Sequence, residues 1–117
     1  MDNSRFLECL EADYRRMREV VPGHLEARVP TCPEWTVADL TRHVGEVYLH
    51  KVELMRHGAH PEGWPPAVFR QEEPVGLLTR GYGELRAEFA AHQRQLRERI
   101  ELMRAKIAAA KSSGEPG

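Results

Sequence analysis

TVADLTRHVGEVYLHKVELMRH, from Thr36 to His57, is the stretch whose reading decides the fold. Thr36 with Asp39 three residues later makes a capping-box pattern, in which each side chain can satisfy a backbone donor of a helix's first turn. Behind it, Leu40, His43, Val47, His50 and Leu54 follow one another at steps of three and four. That spacing predicts a helix running to about His57, stopped by Gly58, with these five residues on its inner face. Two histidines on an otherwise apolar stripe are the most informative local feature of the chain.

Working outward toward the N-terminus, Phe6, Leu10, Met17 and Val20/Val21 also recur at helical spacing. They predict a first amphipathic helix over about residues 3–21, with Asp2, Asn3 or Ser4 as its cap. Pro22-Gly23 ends it, and Pro30 and Pro33 forbid a helix through HLEARVPTCPEW, residues 24–35. Trp35 is expected to plug this loop onto the core. In the other direction, GAHPEGWPPAVFRQEEP (58–74) reads as an irregular loop of 17 residues covered by Trp64 and Phe69. His24, His57 and His60, in or beside loops, are expected to face solvent.

From Val75 the periodicity returns as Leu78, Tyr82, Leu85, Phe89, His92, Leu96, Ile100, Met103 and Ile107. Gly81 and Gly83 each weaken the early turns by about 1 kcal/mol relative to alanine, so a break there stays open. Beyond Phe89 the pattern predicts one long helix, roughly 50 Å against about 30 Å for each of the first two. The fold class is therefore all-α, three main helices with a long third one. Residues 1–92 read as the helical domain, 93–111 as the continuation of the third helix, and 112–117 as a disordered tail. The distal apolar positions Leu96, Ile100, Met103 and Ile107 need a partner. No glycine or proline lies between Gly83 and Gly114 to turn the chain back, so a homodimer through this helix is expected, with another protein partner as the alternative.

Composition narrows the function classes. The 117 residues carry 17 basic and 18 acidic side chains, a net charge of −1, which argues against nucleic acid as the main partner. The balance is uneven, since residues 86–111 hold seven basic and three acidic side chains, and the plain reading is a solvated helix face. No run of 18 apolar residues exists, so no membrane partner is expected. The N-terminal stretch has no secretory pattern, and Cys9 and Cys32 are too few for a disulfide framework, so the expected compartment is the cytoplasm. A Gly-rich phosphate loop, a G-x-S-x-G elbow and an H-E-x-x-H motif are all missing from the sequence. Trp35 and Trp64 lack the basic groove that a base-stacking platform needs.

The segment VPTCPEWTVADLTRHVGEVYLHK (29–51), a Pro-x-Cys-Pro-x-Trp-Thr loop followed by a helix with Asp-Leu and a histidine three residues beyond, resembles the mycothiol-dependent maleylpyruvate isomerase family. That family is part of the DinB-like group of metal-binding helical bundles. EEPVGLLTRGYGELRAEFAAHQ (72–93) resembles the family's third helix, so the likeness covers about residues 4–92. The resemblance implies an up-down bundle, here shortened, which the uncovered stripe of the long third helix is expected to complete by dimerisation. It also implies a divalent metal, commonly zinc, held by one second-helix histidine and by a Glu-x-x-x-His pair of a later helix, and activating a thiol cofactor. The second-helix position is His43. The later ligand helix has no counterpart in a chain this short. Glu88 and His92 have the Glu-x-x-x-His spacing, which sets them on adjacent turns of one helix, although the resemblance places them on the third helix.

Two readings of function follow. In one, the chain is a non-catalytic dimeric interaction or binding module that keeps the front of the fold. In the other, it is a divalent-metal-dependent thiol transferase or isomerase of the mycothiol type, with His43, Glu88 and His92 holding the ion. For His43, His50 and His92 the alternatives to ligation are a satisfied core, interface or register-setting histidine, and for Glu88 a solvated helix charge. Cys32 is expected to be a buried thiol in a packed loop.

Overall fold

The computed structural model describes residues 3–112, and it is built on three helices and one small hairpin. Helix α1 spans Asn3–Val20, strands β1 and β2 span Arg28–Val29 and Cys32–Thr36, helix α2 spans Val37–His57, and helix α3 spans Pro74–Ser112. The all-α expectation, with a long third helix, holds. By contacts the chain divides into two units, one ending at Arg86 and the other starting at Ala87.

In the first unit, α1 buries Leu10, and Val21 just beyond its end, while Val20 stays exposed. The proposed caps at Asp2, Asn3 and Ser4 lie outside the side chains described. The proline-bearing stretch after α1 is not an irregular loop. It forms an antiparallel hairpin with Arg28 opposite Thr36 and Val29 opposite Cys32, braced by the Arg28 guanidinium donating to the Pro33 carbonyl at 3.2 Å. The hairpin also prepares α2. Val37 N–H donates to Ala27 O at 2.8 Å and Ala38 N–H to Leu25 O at 2.9 Å. Asp39 N–H donates to Thr36 Oγ1 at 3.2 Å, and Thr36 N–H returns to Asp39 Oδ2 at 3.0 Å. Donors that a helix start leaves unsatisfied are thus met in three successive residues. At the other end Gly58 adopts φ +69°, and its N–H closes on Leu54 O at 2.8 Å.

The buried face of α2 differs from the one its apolar pattern predicts. Thr41, Gly45, Leu49 and Val52 face inward, whereas His43 and Val47 are exposed and Leu40, His50 and Leu54 are half-buried. The reason lies in how closely α2 and α3 approach. A Cβ on Gly45 would stand 2.9 Å from the Leu77 carbonyl carbon, and one on Gly81 would stand 2.8 Å from Gly45 O. Small residues let the two backbones touch, so the contact face is marked by a lack of side-chain bulk. Thr41 is compatible with this burial because its hydroxyl donates to Val37 O at 2.7 Å.

Helix α3 runs without a break through Gly81 and Gly83 and buries Leu77, Leu78 and Leu85. Pro74 opens it, and the Glu73 carboxylate caps it by accepting from Val75 N–H at 3.2 Å and Gly76 N–H at 2.7 Å. Helix α1 meets it through Tyr14 stacked on Tyr82, ring centroids 3.9 Å apart. The segment between Gly58 and Pro74 is more ordered than an irregular loop, since Ala67–Gln71 forms a 3-10 helix whose Phe69 joins Leu49 and Leu77 in the core, with Trp64 packed against them. Among the described residues no helix is long and apolar enough to cross a membrane. Of the expected tail at 112–117, Ser112 is instead the last residue of α3, and 113–117 lie outside the described residues.

Candidate functional site

His43, Glu46 and His50 project from one side of α2 because steps of three and four residues return to nearly the same direction. Of the three, the apolar periodicity predicts His43 and His50 on the inner face. With the buried face taken by Thr41, Gly45 and Leu49, that side of the helix is instead turned toward the hairpin and the 58–74 segment, and the side chains line two open depressions. The first, about 450 Å³, is walled by Trp35, Asp39, Arg42, His43, Glu46 and Arg70. The second, about 310 Å³, is walled by His43, Glu46, Val47, His50, Trp64 and Pro65. His43 and Glu46 belong to both, so they mark the ridge where a charged basin meets an apolar one.

At the ridge, His43 Nδ1 and Glu46 Oε2 stand 4.0 Å apart, an attraction only when the imidazole is protonated. Trp35 meets the His43 ring edge-on at 5.3 Å between centroids. Trp35 is therefore no core plug. It sits on β2 with 36% of its surface exposed and forms a wall of the charged basin. Cys32, on the same strand, is exposed and not buried as expected. In the charged basin the Asp39 carboxyl lies below its ordinary 3.8, chiefly through hydrogen bonding to the Thr36 backbone and side chain. Arg42 Nη2 donates to Glu72 O at 3.3 Å, while its buried Nε has no hydrogen-bond partner among the described residues. Two arginines facing two carboxylates and an imidazole form a surface able to hold a polar or zwitterionic group.

In the apolar basin His50 is half-buried. His60, from the 58–74 segment, lies against it with ring centroids 5.1 Å apart and Nδ1 3.4 Å from His50 Nε2, a long hydrogen bond whose direction depends on the tautomer. Trp64 stands edge-on to His50 at 5.5 Å and edge-on to Phe69 at 5.4 Å, which ties the basin's rim to the core. His60 is exposed as expected, but it has a partner. That pairing has no signature in the spacing of the two histidines, because it depends on the path of the 58–74 segment. Arg42 and Arg70 were likewise not singled out, since arginines at such spacing read as solvated surface.

Of the proposed metal ligands, His43 lies in the first unit with about half its side chain exposed, and Glu88 and His92 lie in the second, half-buried and exposed respectively. Among the described residues no group of three or more His, Cys, Asp or Glu side chains is placed to hold a metal ion. The set His43, Glu88 and His92 rests on spacing and resemblance alone. No reaction step is assigned to a metal.

A family model described as the mycothiol maleylpyruvate isomerase N-terminal domain covers residues 7–117, carrying the likeness past residue 92, where the sequence motifs stop. No curated protein and no solved structure matches the chain.

Proposed function

The chain belongs to the mycothiol maleylpyruvate isomerase N-terminal domain family, and from that premise we propose that it is a non-catalytic member, a small helical module that binds a partner through the distal part of α3. One observation carries this reading. Leu96, Ile100, Met103 and Ile107 fall at steps of four, three and four on α3 and are 46%, 42%, 62% and 53% exposed. Covering the exposed part of each would contribute on the order of 1 kcal/mol, and heptad spacing is what a facing helix needs for regular packing. A second copy of the chain and a different protein are the two candidates for the cover.

The test is Ile100→Asp. The fold of the first unit should survive, with unfolding free energy within about 0.5 kcal/mol of the parent, because the position is exposed. Association measured by sedimentation, with a second copy or with an added helix carrying a leucine seam, should be present in the parent and lost in the variant, because the seam would have to bury a carboxylate. Association that persists in the variant contradicts the reading.

The second reading, a divalent-metal-dependent thiol transferase or isomerase with His43 as one ligand, is favoured by the place of His43 beside Glu46 where the two basins meet. It requires a divalent ion that stays with the purified chain and is lost in His43→Ala.

A further inference from the structure

The residues that flank the exposed seam select its partner. With Ile100 and Ile107 at the a positions and Leu96 and Met103 at d, the e positions are Arg97 and Arg104 and the g positions are Arg99 and Lys106. All four flanking side chains are basic and exposed, and among the described residues none makes an ion pair. The acidic residues of this stretch, Glu98 and Glu101, fall at f and b, away from the seam.

A second copy meets this arrangement badly in either orientation. Parallel helices set g of one against e of the other, which brings Arg99 to Arg104. Antiparallel helices set e against e and g against g, which again opposes basic side chains. The seam's two heptads are also short for a self-standing coiled coil, which ordinarily needs three or four. From the apolar stripe and its basic borders we infer that the distal part of α3 docks an acidic amphipathic helix of another protein, one with apolar residues at a and d and glutamate or aspartate at e and g. This rests on the binding-module reading and revises its homodimeric form. An anionic lipid surface is the weaker match, because an interfacial helix bears large aromatic anchors, whereas the exposed apolar residues of this stretch, Leu102 outside the seam included, hold no aromatic side chain beyond Phe89.

The experiment titrates the full chain into three labelled three-heptad helices of identical leucine seam, with glutamate, glutamine or lysine at e and g, and into vesicles containing anionic lipid. The glutamate-flanked helix should bind about ten-fold tighter than the glutamine-flanked one, the worth of roughly four exposed ion pairs, and the lysine-flanked one weakest. That advantage should shrink at about 1 M salt. The combined variant Arg97→Glu, Arg99→Glu, Arg104→Glu and Lys106→Glu should reverse the order, since these positions are exposed and hold no core contact. Equal affinity for all three helices overturns the acidic partner and leaves the binding module standing. Binding of none of them overturns both. Tighter binding to the vesicles than to the glutamate-flanked helix overturns the protein partner, and a dimer of the chain that shuts out every helix overturns it in favour of a second copy.

Discussion

Thr36 holds the start of α2 through two reciprocal hydrogen bonds, and its removal should be felt beyond the local turn because the same turn carries the hairpin and the charged basin. Thr36→Ala should cost about 1 kcal/mol of stability in denaturant unfolding, the usual cost of losing a helix cap. The pH dependence has a definite sign. The Asp39 carboxyl titrates below 3.8 in the fold, so its contribution is fully present above that value and is lost as pH falls through the lower folded one. In Thr36→Ala the acid limb of the stability profile should flatten only in part, because the Thr36 N–H still donates to the Asp39 carboxylate, and a series of melts between about pH 2 and 5 would read it. This cap was legible in the sequence, because its residue types and spacing are local. The glutamate cap of α3 was not, since Glu73 lies outside the short polar residues that usually mark a helix start. Nor was the exposure of Trp35 and Cys32, which depends on a hairpin in a stretch where the two prolines show only that no helix forms.

At the scale of elements, the packing of α2 on α3 turns on two glycines. Gly45→Ala would force a methyl group within 3 Å of the Leu77 backbone, which cannot yield as a flexible side chain can. A loss of about 1–3 kcal/mol is expected, from the overpacking of a tight contact. Gly83, also within α3, has open space around its missing Cβ, so Gly83→Ala should stabilise by up to about 1 kcal/mol through helix propensity alone. Opposite signs in a single unfolding series are the prediction, and a neutral Gly45→Ala would contradict the close approach. The extent of α2 and α3 was readable from periodicity. The inward face of α2 was not, because a search for bulky apolar residues passes over an interface built from Thr41 and Gly45, and His43 and His50 were assigned inward as a result. The candidate site owes its accessibility to that reversal.

For the whole molecule, the consequence is a division of labour along the chain. The first unit carries the core and the two basins on α2, and the second carries a basic-bordered apolar seam. The seam was legible as a heptad stripe that nothing else in the chain was expected to cover. Its borders were legible too, but as net charge over residues 86–111, which hides that every border position is basic. The basins were not legible, because they join side chains from the hairpin, α2 and the 58–74 segment. Membership of the family raises the enzyme reading, and the binding module is the account set against it. The most direct test is the divalent-metal content of the full chain purified without chelator, measured by elemental analysis beside His43→Ala, with mass from light scattering on the same samples. The account predicts far less than one ion per chain and the same content in the variant. A near-stoichiometric divalent ion that disappears with His43→Ala would contradict it.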